Sequence, residues 1–162
     1  MKITFIQTGG TIDKDYPKTT LGYAFEITTP AVERIMQNVN PTFEIEVLSA
    51  FKKDSTEITE DDRNKLLEIC KNLENDKIII THGTDTMLET AKILSEIKDK
   101  LIILTGSMRP EKFYNSDAPF NVGMAVGGMS TLSNGVYVAM HGRILPWDKC
   151  ARNLETGQFI NK

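Results

Sequence analysis

Lys77-Ile78-Ile79-Ile80-Thr81-His82-Gly83-Thr84-Asp85-Thr86 is the stretch on which the reading of this chain turns. Three consecutive isoleucines bounded by charge predict a short strand buried on both faces, as in a parallel sheet. The run becomes polar and small at Gly83, and from there Met87, Ala91, Leu94 and Ile97 fall at helical spacing. Thr86 and Glu89 have the spacing of a capping box, which predicts the helix start. Thr84 and Asp85 then stand where a buried strand hands over to a helix. In open α/β sheets ligands bind in that crevice, so a hydroxyl and a carboxylate delivered there are candidates for chemistry. The plainer reading is that both only cap the helix.

Outward from this stretch, similar patterns recur. Residues 2–7 predict the first strand, followed by Thr8-Gly9-Gly10-Thr11-Ile12, whose glycines allow a tight turn with exposed amides beside Thr11. The lysine of a P-loop and the spacing of a dinucleotide fingerprint are both missing there. Phe43 to Val47 alternates apolar and charged residues, which predicts a strand solvated on one face, at the sheet edge. It leads into Lys53-Asp54-Ser55-Thr56-Glu57, and Thr59 then starts a helix with Leu66, Leu67, Cys70 and Leu73 as its buried stripe. Leu101 to Leu104 is another continuous apolar strand, ending in Thr105-Gly106-Ser107-Met108-Arg109-Pro110. Gly135 to Met140 is the last clear strand, running into His141-Gly142-Arg143, and the final dozen residues read as a short polar tail.

Two helices complete the alternation. Thr29 is expected to cap one, with Pro30 at its first position and Val32, Ile35, Met36 and Val39 on one face. Pro119 opens the other, through about Met129, with Gly123, Gly127 and Gly128 permitting close approach of a second backbone. Residues 13–28 have no apolar period and read as a mobile loop long enough to be a lid, carrying Tyr16 and Tyr23. The fold class is therefore α/β: three layers, a mostly parallel sheet with helices on both faces, of the Rossmann or flavodoxin-like kind. Parallel strands put the polar segments after Gln7, Thr81, Leu104 and Met140 on one edge. Four such loops on one rim point to a composite active or binding site.

Composition narrows the partners. The chain has 162 residues, enough for one domain with a proper core, and its 40% hydrophobic and 25% charged residues are ordinary for a globular protein. A net charge of −3 gives no reason to expect nucleic acid or an anionic membrane. No apolar run approaches the ~20 residues that span a bilayer. The two cysteines, Cys70 and Cys150, lack neighbours at metal-ligand spacing and suggest a reducing compartment, the cytoplasm. His82 and His141 likewise have no ligand partner at metal spacing, so no metal and no cofactor are expected.

The Thr8 to Ile12 segment together with Thr81-His82-Gly83-Thr84-Asp85-Thr86-Met87 closely resembles the L-asparaginase family of bacterial type. Asp54 to Thr59 resembles that family's substrate-binding loop, and Thr105 to Pro110 a further family segment. The resemblance runs over essentially the whole chain in the right order, and covers only the N-terminal, catalytic domain of the longer members. It implies a short member in which residues 1–162 form that single domain, with no C-terminal domain. It implies hydrolysis of L-asparagine, and of L-glutamine as a competitor, through an acyl-threonine intermediate. Thr11 matches the nucleophile, Tyr23 the lid tyrosine (Tyr16 second), and Thr84 with Asp85 the second threonine and its aspartate. Ser55 matches the residue that holds the α-carboxylate, and Asp85, Thr56 and Glu57 those near the α-amino group. Gly10 and Gly83, beside the two threonines, complete the implied substrate-binding set.

One position departs from the family pattern. Aligned without gaps, the family's supporting lysine falls on Arg152, with Lys149 three residues earlier. Lysine can give up and relay a proton, whereas arginine stays charged. Lys149 is the expected residue for that role. Glu57, where aspartate is usual, is a milder departure. Two alternatives stay open: a binding or regulatory module without turnover, and an amidase subunit of an amidotransferase. A homodimer or higher homo-oligomer is expected, packed through the Pro119–Met129 helix with Met108 and Phe113, because the neighbour's second domain completes the pocket in longer relatives.

Overall fold

The computed structural model describes residues 1–20 and 22–162. The chain opens with β1 (Lys2–Gly9), a 3-10 turn at Thr11–Asp13, and four very short strands: β2 (Lys14–Asp15), β3 (Lys18–Thr19), β4 (Gly22–Tyr23) and β5 (Glu26–Ile27). Next come α1 (Ala31–Val39), β6 (Glu44–Lys53), a 3-10 turn at Ser55–Glu57, α2 (Glu60–Asn72), β7 (Lys77–Thr81), α3 (Met87–Leu94) and β8 (Leu101–Thr105). The remainder is α4 (Ala118–Gly128), β9 (Gly135–Met140), β10 (Arg143–Pro146), a 3-10 turn at Trp147–Lys149, β11 (Cys150–Arg152) and β12 (Phe159–Asn161).

The main sheet has the order β10-β9-β8-β7-β1-β6, parallel except for the antiparallel β9/β10 pair. The isoleucine run sits at its centre, with Ile79 level with Phe5 on one side and Ile103 on the other. Successive side chains point to opposite faces, so Ile78 and Ile80 join α2, α3 and the β11/β12 hairpin in one core. Ile79 joins α1 and α4 in the other. Each fully buried isoleucine contributes about 2 kcal/mol of transfer free energy, which is why this strand anchors both layers. The mixed, mostly parallel α/β architecture read from the sequence is what the chain adopts, with β6 at the edge.

Local expectations are corrected in five places. The Thr86/Glu89 capping box does not form: the Thr86 hydroxyl donates to the Ser55 carbonyl at 2.7 Å and Glu89 pairs with Arg63. The capping box in the structure lies at the start of α2, where Thr59 and Asp62 exchange side-chain and backbone bonds. α1 begins at Ala31 with Pro30 as its cap residue, because the Asp13 carboxylate accepts the Ala31 N–H at 2.7 Å, and Val39 lies outside its buried face. Residues 13–28 are no plain loop: β2 pairs with β5 and β3 with β4, forming a two-tier ribbon. The polar tail is a hairpin that buries Cys150 and Phe159 on the sheet, preceded by the unforeseen strand β10.

Candidate active site

Five parallel strands deliver their carboxyl ends to one edge, at Gly9, Lys53, Thr81, Thr105 and Met140. Threonine hydroxyls stitch these ends where the strands diverge. Thr8 donates to the Thr81 carbonyl and Thr105 to the Ala139 carbonyl, each at 2.8 Å in a fully buried setting. A buried hydroxyl needs such a partner, and the adjacent strand supplies it.

Three of the loops are in backbone contact. Gly10 has φ 81°, and a Cβ on it would lie 2.4 Å from both N and Cα of Gly83. A Cβ on Gly83 would in turn lie 2.7 Å from Cβ and Oγ of Ser55. Glycine is required at both positions, at Gly10 by conformation as well as space. This stacking sets Thr11, Thr84 and Ser55 on adjoining turns. The hydroxyls of Thr11 and Thr84 make no hydrogen bond among the described residues and both side chains are half-buried, so each is free to meet a ligand. Ser55 is buried; its Oγ accepts the Asp85 N–H at 3.2 Å. Thr56 is exposed and turned inward onto Asp54, whose carboxylate also holds Lys14 at 2.7 Å; that lysine keeps Asp54 below the usual carboxylate range. Glu57 is exposed and makes no ion pair among the described residues.

A buried polar chain fixes the Gly83 turn from behind. His82 Nδ1 lies 2.7 Å from the Gly83 carbonyl, which can only accept, so Nδ1 carries the proton. Nε2 then accepts from the Thr90 hydroxyl at 2.8 Å, and Thr90 accepts from Arg63 Nε at 3.1 Å. Arg63 also donates to the Ile58 carbonyl at 3.0 Å and pairs with Glu89 at 2.9 Å. Burial pushes His82 down to about 4, so it stays neutral and holds backbone. No sequence signal marks this relay, because its members are spread over the turn after β7, α2 and α3.

Asp13 is a second residue that sequence reasoning misses. It lies two residues after Thr11, wholly buried, and burial raises it to about 6 against the pull of its hydrogen bonds. Its carboxylate caps α1 and accepts from Thr81 at 3.5 Å, while its carbonyl accepts the Thr28 N–H at 2.9 Å. The two ends of the ribbon are thereby tied together beside Thr11.

The cation brought to Asp85 is Arg152, not Lys149. Arg152 Nη1 lies 2.9 Å from Asp85 Oδ1, because the β11/β12 hairpin folds back over the sheet and carries Arg152 to the rim. Arg152 Nε is buried with no hydrogen-bond partner among the described residues. Lys149 lies on the preceding 3-10 turn, exposed, and its side chain pairs with none of the described residues. Tyr23 is 62% exposed on the ribbon, stacked on Tyr16 with ring centroids 5.7 Å apart. Neither tyrosine hydrogen-bonds to Thr11 among the described residues. Tyr16 also packs on Phe25, and Phe25 on Phe113.

No three His, Cys, Asp or Glu side chains among the described residues gather at a metal-binding separation. No helix among them is long and apolar enough to cross a membrane. What the rim offers is two hydroxyls and the Thr11 and Thr84 amides, none with a partner among the described residues, and a carboxylate–guanidinium pair. That set suits nucleophilic attack on an acyl carbon.

Comparison with known proteins gives matches along nearly the whole chain. The family described as "Asparaginase, N-terminal" matches residues 2–155. A glutaminase-asparaginase of Acinetobacter glutaminasificans is 29% identical over 174 aligned residues, covering 99% of this chain and 53% of that protein. One subunit of the glutamyl-tRNA(Gln) amidotransferase of Methanococcus vannielii is 42% identical over 87 residues, covering 52% of this chain and 20% of that protein. Among solved structures, the thermostable L-asparaginase from Thermococcus kodakarensis superposes with a TM-score of 0.84 at 30% identity, covering 99% of this chain and 51% of that one. The chain thus spans about half the length of the first of these relatives and of this neighbour.

Proposed function

The chain belongs to the asparaginase family, and from that premise we propose that it is an amidohydrolase that converts L-asparagine to L-aspartate and ammonia through Thr11. The observation that carries the reading is the Gly10–Gly83 contact, which sets two unbonded threonine hydroxyls on adjoining turns at the carboxyl edge of the sheet. In this reading Thr11 Oγ attacks the side-chain amide carbon, its proton leaves with the amine as ammonia, and the acyl-threonine ester is then hydrolysed by water. The Gly10 N–H is committed to the Lys53 carbonyl at 2.9 Å, so the amides of Thr11 and Thr84 are the donors for the oxyanion. Tyr23 serves the first threonine once the ribbon closes, and Asp85 serves the second. Arg152 keeps its proton throughout and supports Asp85 in place of the expected Lys149. Ser55 binds the α-carboxylate, with Gly10, Gly83, Thr56 and Glu57 around it. L-glutamine is the natural competitor, in keeping with the glutaminase-asparaginase relative.

Release of ammonia from L-asparagine by the purified chain tests this directly. Thr11→Ala should abolish it; undiminished release by that variant, or none by the parent, overturns the reading. The amidotransferase relative favours a second reading, in which the same amide chemistry serves a larger enzyme. Turnover that appears only with an added partner protein would select it. The working form in the primary reading is a homodimer in the cytoplasm, a reducing compartment that suits the unpaired thiols Cys70 and Cys150.

A further inference from the structure

We propose that Arg63 and Thr90 are positioning residues for the amide hydrolysis: with His82 they form a one-way chain of hydrogen bonds that ends on the Gly83–Thr84 peptide and strengthens the Thr84 N–H as a donor to the oxyanion. The inference rests on the reading in which Thr11 attacks and the Thr84 amide receives the developing charge, and it deepens that reading.

The chain of bonds starts on α2. Arg63, Leu66, Leu67 and Cys70 fall at i, i+3, i+4 and i+7, so an arginine occupies a place on the helix's buried stripe. Its side chain is only 9% exposed, and all three guanidinium nitrogens are engaged. Nη1 donates to the Ile58 carbonyl at 3.0 Å, Nη2 to Glu89 at 2.9 Å and Nε to the Thr90 hydroxyl at 3.1 Å. A guanidinium can only donate and keeps its charge at any ordinary pH, so the Thr90 oxygen is fixed as the acceptor there. The Thr90 proton is then left for His82 Nε2, 2.8 Å away. A neutral imidazole has one N–H, and here it lies on Nδ1, facing the Gly83 carbonyl at 2.7 Å. Burial pushes His82 down to about 4 and keeps the ring neutral, so no second N–H opposes the Thr90 proton.

What this chain grips is one peptide plane. The Gly83 carbonyl and the Thr84 N–H belong to the same amide, so a bond donated to the oxygen draws charge from the nitrogen and makes its proton a stronger donor. His82 and Thr90 are both buried, and in such surroundings each link also polarises the next. The plane is clamped from its other sides by Ser55 and Gly10, which leave no room for a side chain on Gly83. The Thr84 N–H itself has no partner among the described residues. A donor fixed and polarised before the reaction begins stabilises the charge that develops without reorganising. Losing a whole oxyanion donor costs about 10²–10³ in kcat and cooperative strengthening is about 10–30% per bond, so severing the chain should cost about fivefold.

Steady-state kinetics on L-asparagine and NMR spectra of the whole chain test the proposal. Arg63→Met and Thr90→Val should each lower kcat about fivefold and leave KM within about twofold, because the lost interaction matters only as charge develops. The double variant should lose no more than either single one, since one cut already severs the chain. Thr90→Ser, which restores the hydroxyl, should return kcat to within about twofold of the parent. In the parent the imidazole nitrogens of His82 should give the signature of a neutral ring protonated at Nδ1, and the Thr84 amide proton should move upfield in both single variants. A raised KM in place of the lost kcat, additive losses, or a ring protonated at Nε2 overturns the proposal. Should Arg63→Met fail to fold, Thr90→Val and the parent's ring signature still decide. No ammonia from the parent sinks the hydrolase reading, and the Thr84 amide shift then decides the chain by itself. Release by the parent with kcat and the Thr84 amide unmoved in the variants sinks the chain and leaves the hydrolase standing.

Discussion

The backbone of Gly83 fills the space into which a side chain on Gly10 would project. The contact joins the turns that carry Thr11 and Thr84, so Gly10→Ala must either push the turns apart or distort the left-handed backbone at φ 81°. We expect a loss of roughly 3 kcal/mol in urea unfolding and no measurable ammonia release. Gly22→Ala is the matched control: its backbone is left-handed too (φ 111°), but no atom of the described residues lies within 4 Å of a Cβ there, so only a conformational cost of about 1 kcal/mol should remain. Equal unfolding midpoints for the two variants would remove the contact from the account.

Asp13 and His82 should impose opposite pH slopes on stability. Burial raises Asp13 from 3.8 to about 6, so its contribution is present below pH 3.8 and is lost as pH rises through 6. Burial lowers His82 from 6.5 to about 4, so its contribution is full above pH 6.5 and is lost as pH falls through 4. The parent's profile is then nearly flat between these limits, and only a variant separates the two. Asp13→Asn keeps an acceptor for the Ala31 N–H and removes one slope. Relative to the parent it should gain about 3 kcal/mol between pH 4 and pH 7. A constant difference across that window would refute the assignment.

The ribbon of residues 14–27 is held by exposed or half-exposed pairs, Lys14 with Asp54 and Lys112 with Asp15, and by Phe25 against Phe113. Such ties are worth little each, so this segment should exchange its amide hydrogens far faster than β1 or β7. Lys14→Ala should raise that exchange further while changing global stability by about 1 kcal/mol or less. Bound diacid should slow it. Equal exchange with and without ligand would deny the ribbon a role as a lid and remove most of the case for Tyr23.

Ser55 uses its oxygen lone pair on the Asp85 N–H, which leaves the hydroxyl proton for a ligand carboxylate. Ser55→Ala should therefore raise KM about tenfold and leave kcat within about threefold, the signature of lost ground-state binding. A collapsed kcat with KM intact would move Ser55 from binding to chemistry.

A homodimer packed through α4 is the expected assembly. Its inner face packs Ala118, Val122, Ala125 and Gly128 on the sheet, while Phe120 stays 63% exposed and Gly123 and Gly127 open onto empty space. Two copies can bring such a face together along a two-fold axis. Light scattering should give a dimer for the parent and a monomer for Phe120→Glu. A monomeric parent with full turnover would refute both the dimer and the need for a neighbour to cover the site.

The layers are legible in the sequence because buried parallel strands announce themselves: Ile78–Ile80 and Leu101–Leu104 cannot be solvated on either face. The rim is legible because glycine and threonine cluster where those strands end. What stays hidden is long-range. Asp13 reads as the start of a polar loop, yet its partners Ala31 and Thr81 lie in other elements. Residues 151–162 read as a tail because Phe159 is an isolated aromatic in a polar run, and only its pairing with β11 shows where it is buried. Arg152 and Lys149 cannot be ranked by spacing, since the turn of a hairpin decides which one faces the sheet edge.

Because Arg152 reaches Asp85 from a hairpin made long after the Thr11 turn, the rim is completed late during translation. At ribosomal speeds the turn bearing Thr11 waits on the order of ten seconds for that hairpin. The nascent chain has the Thr11 hydroxyl early and lacks the charge balance around Asp85 until β11 emerges. Vectorial synthesis thereby acts as a timer: a partly made chain carries Asp85 without its guanidinium partner, and stalled or nicked products ending before β11 should be inert.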